Sequence, residues 1–227
     1  MKEKRKRKII FTVIFTLVGL LAFQVSLNQL VGSKVNFTLF DAFGPITAAF
    51  LGTIPGIIAL AVIQGTNFLI HGASVIDAGT IIRFFPILFA ALYFSKKTKW
   101  NLVIPLLAML AFNLHPIGRS AWYFSLYWLI PVAMYFFQNK SLFARSLGAT
   151  FTAHAVGGAA WVWAFGLSKE IWVSLIPVVL VERLIFAVGI AFMYVMVNNL
   201  LAALSAKKII TFKLPINKKF VLKRFSN

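Results

Sequence analysis

The residues of this 227-residue chain that could do chemistry are ionisable side chains placed inside long apolar runs. Arg83, His154 and Glu182 each lie well within such a run. A charged side chain at the centre of a bilayer costs about 2.5–3.5 kcal/mol, so each of these residues is a candidate for function. Side chains of this kind bind a polar solute or ion, or they pair with one another.

We predict that the candidate ligand-binding residues gather in one half of a helical bundle, the half that faces outward in the topology argued below. No catalytic residue, metal ligand or cofactor is predicted. The candidates are Asp41, Arg83, Asn113, His115, Arg119, His154, Trp161 and Glu182.

A structural role is the alternative for several of these residues. Glu182 could pair with Arg83 or Arg183 and join helices, because an unpaired buried carboxylate would be protonated or very costly. Arg83 could instead extend its side chain to the outer headgroups. His154 could bond a neighbouring carbonyl group rather than a metal ion. Trp161 could be one of the tryptophans that are common at membrane interfaces.

Signatures of known enzyme classes are missing from the sequence. There is no H-E-x-x-H metal motif, no G-x-S-x-G nucleophile elbow and no cysteine. There is also no P-loop, so the chain lacks the usual means of hydrolysing ATP itself. These absences weigh against catalysis, and an intramembrane enzyme that uses His154 and Glu182 is the least favoured alternative.

The composition indicates a membrane protein. Hydrophobic residues make up 60% of the chain and charged residues 12%, whereas soluble domains average about 45–50% and 25%. So few charges cannot coat a water-facing surface, which excludes a soluble enzyme, a secreted domain and a disordered chain. The net charge is +18, but the basic residues stand in clusters between apolar runs, so they indicate membrane orientation rather than nucleic-acid binding.

Seven apolar runs are separated by short polar segments. A membrane-spanning helix needs about 20 consecutive apolar residues. We therefore predict a single transmembrane helical domain over residues 1–205, followed by a basic cytoplasmic tail over 206–227. The runs are Ile9–Val31, Phe43–Ile70, Ile76–Phe94, Trp100–Leu114, Ala121–Phe137, Leu142–Gly166 and Ile171–Leu204.

The distribution of lysine and arginine decides how the run over 43–70 crosses the membrane. If it crosses once, the inside loops hold 8 basic residues and the outside loops 13. If it turns back, the inside holds 18 and the outside 3, in agreement with the positive-inside rule. The predicted fold is thus an all-α integral membrane helical bundle of the cell membrane, with six full transmembrane helices, a broken hairpin over 43–70, and both termini cytoplasmic.

Residues near the middle of the run 43–70 would allow the backbone to reverse direction. Pro55 lacks a backbone donor, and Gly52 and Gly56 permit a bend. The 28 residues of the run would give about 42 Å of helix, too little for two complete crossings and a turn, so we expect two short helices. One long tilted helix with a proline kink is the alternative.

The stretch Phe37–Gly52, with its Gly44-Pro45 pair and its closing Leu51-Gly52, resembles the region after the first helix in the substrate-binding (S) components of energy-coupling-factor transporters. The basic N-terminus, the short chain and the scale of six helices are also similar. The small-residue motif with which many S components contact their coupling subunit is approximated by Gly19, Ala22 and Ser26.

The resemblance implies a membrane subunit that captures a vitamin-like or other small molecule from outside, with energy from separate ATPase subunits and a coupling subunit. The expected partners are therefore the lipid bilayer, these subunits and a small-molecule solute, but no nucleic acid. A multi-pass membrane protein without transport activity, either an envelope-assembly scaffold or a sensor, is the alternative function.

Overall fold

The computed structural model describes residues 2–29, 36–71, 78–210, 212 and 214–223, and it is 84% helical. Within these residues, strands are confined to one short antiparallel pair, Ser26–Gln29 with Asn36–Thr38. The elements in chain order are α1 (Lys2–Phe23), β1 (Ser26–Gln29), β2 (Asn36–Thr38), α2 (Leu39–Leu51), α3 (Thr53–His71), α4 (Ala78–Ser95), α5 (Trp100–Leu114), α6 (Pro116–Ser120), a 3-10 helix (Trp122–Trp128), α7 (Leu129–Phe137), α8 (Leu142–Phe165), α9 (Lys169–Ala206) and a 3-10 turn (Lys218–Phe220).

Three helices of the described chain are long and apolar enough to cross a membrane, which agrees with the membrane-protein class predicted from composition. They are Thr53–Ile70, Ala78–Ser95 and Lys169–Ala206. The other predicted spans are shorter, carry more charge or, as in α8, are less apolar; α5, for example, has 15 residues.

The predicted run Ala121–Phe137 is divided into the 3-10 helix of seven residues and α7 of nine. Pro131 gives a physical reason for the break, because in the interior of one continuous helix its missing N–H would leave a backbone bond unmade. With α7 beginning at Leu129, Pro131 lies in the first turn, where no intrahelical donor is required.

The first helix ends at Phe23, and the prediction that it continues to Val31 is wrong. Gln24, Ser26 and Asn28 interrupt the apolar run here. The backbone instead pairs as β1 with β2, which satisfies donors and acceptors that a frayed helix end would leave open.

The segment 43–70 is broken at Gly52, whose φ of 93° favours glycine. Its two halves fold back on each other. The Phe40 ring, at the start of α2, stacks 4.0 Å from the Phe23 ring at the end of α1. Near the end of α3, Asn67 accepts a hydrogen bond from Gln24 at 3.3 Å. The start of α2 and the end of α3 therefore lie at the same end of the bundle.

The two arms of this hairpin differ in length. The sequence predicted two short helices, but one of them is short and the other is of membrane-spanning length. With 13 and 19 residues, α2 and α3 measure about 20 and 28 Å. The α3 arm alone is long enough to span a bilayer. The sequence prediction took the apolar run 43–70 as the whole hairpin, whereas the two helices extend from Leu39 to His71.

The first half of α1 and the described C-terminal segment lie at one end of the bundle. Phe11, in the first half of α1, contacts Phe212, with ring centroids 5.7 Å apart. Lys219 donates a hydrogen bond from its ammonium group to the Lys140 carbonyl, at 3.1 Å. We call this the basic end of the bundle, after Lys96, Lys97, Lys99, Lys140, Arg145, Lys207, Lys208, Lys218, Lys219 and Lys223.

The C-terminal segment is attached to this end through two consecutive buried asparagines of α9. Asn198 donates to the Asn217 carbonyl at 3.1 Å and accepts from the Asn217 N–H at 2.8 Å. Asn199 donates to the Phe220 carbonyl at 2.7 Å and accepts from the Leu222 N–H at 2.7 Å. The part of the predicted tail that the structure describes is thus packed against the bundle.

Candidate functional site

Arg183 is the centre of a polar cluster between α9, α8 and the start of α2. Its guanidinium lies 3.6 Å from the Glu182 carboxylate, and their side chains are only 12% and 13% exposed. A guanidinium N–H also donates to the Thr150 hydroxyl of α8 at 3.4 Å. Of the two partners proposed for Glu182, the structure has Arg183. Because they are neighbours in one helix, it is the contact with Thr150 that extends the cluster to a second helix.

Two aromatic rings cover the Arg183 guanidinium. The Phe186 ring centroid lies 4.7 Å away and the Phe37 ring centroid 5.4 Å away. The two rings contact each other edge to face at 4.3 Å. A cation over an aromatic face gains about 0.5–2 kcal/mol, more where water is excluded. Because Phe37 belongs to β2, the short strand pair lies against the cluster.

Two polar atoms of this cluster are buried and have no hydrogen-bond partner within the described chain, Glu182 Oε1 and Arg183 Nε. Polar groups inside proteins are nearly always hydrogen-bonded, and leaving one unpaired costs about 1–3 kcal/mol. The Glu182 oxygen needs a hydrogen-bond donor, and the Arg183 Nε–H needs an acceptor. The cluster therefore has bonding capacity for a further polar molecule.

His154 adds a third polar group and lies one helical turn after Thr150, on the same face of α8. Its Nδ1 accepts a hydrogen bond from the Trp128 indole at 3.0 Å, so the neutral ring carries its proton on Nε2. That Nε2–H has no acceptor among the residues that the structure describes. The His154 and Arg183 side chains are close enough to interact electrostatically. His154 on α8 and Arg183 on α9 therefore lie in the same part of the bundle.

Asp41 occupies the third position of α2, where it forms a capping box. Its Oδ2 accepts from the Thr38 N–H at 2.8 Å and from the Thr38 hydroxyl at 3.3 Å. A carboxylate at this position satisfies an orphan donor and complements the helix dipole. Its charge also interacts with that of Arg183. Asp41 thus holds the start of α2 beside the cluster and balances part of its positive charge.

Arg83 lies on α4, with its guanidinium 6.0 Å from the centroid of the Trp161 ring. Trp161 follows His154 by seven residues, two turns further along α8. Arg83 is exposed on the surface of the bundle. It therefore does not neutralise Glu182, and the Arg83–Glu182 pair considered from the sequence is not formed.

The remaining predicted residues form a second group, around the turn from α5 to α6. The Asn113 amide donates to the Ser125 hydroxyl at 2.9 Å and to the Met109 carbonyl at 2.8 Å. His115 Nδ1 accepts from the Ile117 N–H at 3.3 Å and so caps α6. Its ring also contacts Trp163, with centroids 5.0 Å apart. Arg119 is exposed at the end of α6.

Arg183, Thr150, Trp128 and Phe37 were not among the predicted site residues. A signal existed for Arg183, because it carries the same insertion cost as Glu182 and stands next to it. Trp128, Thr150 and Phe37 carry no such signal, since their contribution arises only from the helices and strand that meet around Arg183 and His154. Within the described chain there is no cluster of three or more His, Asp or Glu side chains that could hold a metal ion.

No protein-family model, curated protein or solved structure matches this chain. The class of protein therefore has to be inferred from the structure itself. The chain is predominantly helical, has three apolar helices of membrane-spanning length, and contains a polar cluster at Arg183. These features indicate a membrane protein.

Proposed function

We propose that this protein is the solute-binding membrane subunit of a transporter, one that captures a small molecule and relies on separate subunits for ATP hydrolysis. The observation that carries the proposal is the pair of unpartnered buried atoms, Glu182 Oε1 and Arg183 Nε. Intramembrane ionisable groups are costly and tend to mark solute pathways. A bound solute would supply the partners that the described chain does not.

The chemistry of the cluster restricts the solute. It must offer an acceptor to Arg183 or His154 and a donor to Glu182, which suits a small molecule with both kinds of group. The aromatic surface of Phe37 and Phe186 beside the guanidinium favours a flat, unsaturated portion. These features are compatible with the vitamin-like class implied by the resemblance of 37–52 to energy-coupling-factor S components.

We further propose that the basic end faces the cytoplasm and that the solute arrives from the opposite side of the cell membrane. The positive-inside rule supports this orientation, because most Lys and Arg residues lie at that end. Both termini are then cytoplasmic, and the α2–α3 hairpin returns to the outer side. The six crossings predicted from the sequence correspond to α1, α4, α5, the 3-10 helix with α7, α8 and α9. The α3 helix is also long enough to span the membrane, and with the shorter α2 it forms a re-entrant pair whose ends lie on the outer side.

Cysteine labelling tests this orientation. A Ser168→Cys variant is expected to react with an impermeant thiol reagent added to intact cells, whereas Thr98→Cys is expected to stay unlabelled until the cells are opened. The chain has no cysteine, so no background signal arises. Ser74→Cys should behave like Ser168→Cys, although Ser74 lies outside the described residues. Labelling of Thr98→Cys in intact cells would contradict the orientation.

Native mass spectrometry of the protein extracted from its own membrane tests the function. We expect a bound small molecule, together with coupling and ATPase subunits. His154→Met is expected to lower the occupancy of that molecule at least tenfold, because methionine keeps a weak acceptor for the Trp128 indole but has no hydrogen-bond donor. His115→Met is the matched control, since this histidine caps α6 in the second polar group, and its occupancy should be unchanged.

The outcomes separate transport from the other functions. Co-purification of partner subunits, together with a bound small molecule whose occupancy depends on His154, would support the proposal. A chain that is extracted alone, carries no adduct and can be deleted without loss of any uptake would refute it and would favour a scaffold or sensor. Loss of the adduct in both histidine variants would show that the second polar group is part of the site.

A further inference from the structure

A polar cavity lies at the basic end, far along the bundle from the Arg183 cluster. It has a volume of about 170 Å³, is open to the surface, and is bordered by the turn from α7 to α8 and by the C-terminal segment. Clefts that hold drug-sized ligands measure roughly 300–1,000 Å³. This cavity is smaller and therefore suits a compact chemical group. The residues that supply its polar lining are Gln138, Asn139, Lys140, Arg145, Asn217 and Lys219.

The lining is cationic and has no acidic counterpart. Lys140, Arg145 and Lys219 border the cavity, and no carboxylate of the described chain does. The Lys219 ammonium group donates to the Lys140 carbonyl, which holds the two lysine-bearing segments together. Three positive charges in one small concave space produce a strongly positive potential that favours an anion.

Arg145 is fixed in position without being neutralised. Its guanidinium donates to the Phe94 carbonyl and, at 2.8 Å, to the Ser95 carbonyl. It also lies 4.3 Å from the Phe94 ring centroid and 5.7 Å from that of Tyr194. Carbonyl groups and rings orient the guanidinium, but they carry no net charge. Its positive charge therefore remains available to the cavity.

The backbone adds to the same potential. The 24-residue helix α8 begins at this cavity, capped by the Ser141 hydroxyl, which accepts from the Ala144 N–H at 3.2 Å. The N-terminus of a helix carries partial positive charge and is a common binding place for phosphate. The amides of Asn139 and Asn217 add uncharged donors. A tetrahedral anion would therefore meet both charged and neutral donors.

We propose that this cavity binds a phosphate group. The roof of the cavity is the C-terminal segment that Asn198 and Asn199 attach to α9, so a bound phosphate bridges this segment to the start of α8. The phosphate can belong to the headgroup of an anionic lipid, because the cavity lies at the end of a membrane-length bundle. It can also be free phosphate or a small phosphorylated molecule.

The test compares these sources on the delipidated full-length protein in neutral detergent. Native mass spectrometry measures the binding of phosphatidylglycerol and of diacylglycerol, which lacks the phosphate, and calorimetry measures the binding of inorganic phosphate. The test variant is Lys140→Gln with Lys219→Gln. The matched control is Lys99→Gln with Lys207→Gln, which removes the same charge from the basic end but leaves the cavity lining intact.

We expect the wild-type protein to bind one of the phosphate-bearing probes, and the test variant to bind it at least tenfold more weakly. The control should change affinity less than twofold. Preference for phosphatidylglycerol over diacylglycerol, without binding of inorganic phosphate, would identify a lipid headgroup. Binding of inorganic phosphate would identify a free phosphate or phosphorylated molecule.

The proposal is overturned if neither probe binds, or if test and control variants lose affinity equally, which would indicate general surface charge only. The Lys140→Gln single variant guards against misfolding, since the exposed Lys140 side chain can be replaced without disturbing packing. It should bind the probe at least threefold more weakly than wild type with an unchanged melting temperature. Unchanged affinity of this correctly folded variant would also overturn the proposal.

Discussion

An Arg183→Gln variant is expected to lose about 3 kcal/mol of unfolding free energy, because removing one member of a buried ion pair leaves the other charge uncompensated. Glu182 would keep its carboxylate in the interior without the guanidinium now 3.6 Å away. The change also removes the cation that lies against the Phe37 and Phe186 rings. The Thr150 hydroxyl loses the hydrogen bond that it accepts from the guanidinium. Denaturant titration in detergent, followed by tryptophan fluorescence, measures the loss.

Two further variants separate the charge effect from packing. Glu182→Gln with Arg183→Gln should recover much of the loss, because neither charge is then left unpaired. Arg83→Gln is the matched control: this arginine is exposed on α4 and does not pair with Glu182, so stability should change by less than about 1 kcal/mol. Equal losses for Arg83→Gln and Arg183→Gln would contradict the assignment of Arg183 as the partner of Glu182.

A Gly56→Ala variant is expected to be destabilised by about 1–3 kcal/mol, the usual cost of overpacking. A Cβ at this position would lie 2.4 Å from the Ala48 Cα and 2.8 Å from the Ala48 backbone nitrogen. Backbone atoms cannot move aside as the end of a side chain can. The hairpin between α2 and α3 would have to open. Thermal unfolding in detergent detects the change.

Gly65→Ala is the control on the same helix. A Cβ there meets nothing within 4 Å, so the variant should be neutral or more stable by up to about 1 kcal/mol, since alanine favours helix over glycine. If the two variants had the same stability, α2 and α3 would not be packed as closely as Ala48 and Gly56 indicate. A single kinked helix over 43–70 would then be favoured.

Several features could be inferred from the sequence because they depend on composition and on local backbone chemistry. The share of apolar residues alone predicts a membrane protein, since each apolar side chain favours the bilayer whatever its neighbours are. The break near Gly52 was likewise predictable, because Pro55 lacks a backbone donor and Gly52 and Gly56 permit a bend. His154 and Glu182 could be named as candidates from the sequence because their insertion cost is a property of each residue.

What the sequence could not decide is which of these groups meet. Arg83 and Arg183 carry the same charge and similar insertion costs, yet only Arg183 lies beside Glu182, Thr150 and Phe37. Likewise, nothing in a basic tail predicts that Asn198 and Asn199 hold its backbone or that a cationic cavity forms beneath it. These contacts depend on which helix faces pack together. That choice is made by tertiary packing over the whole bundle, and no single segment contains the information.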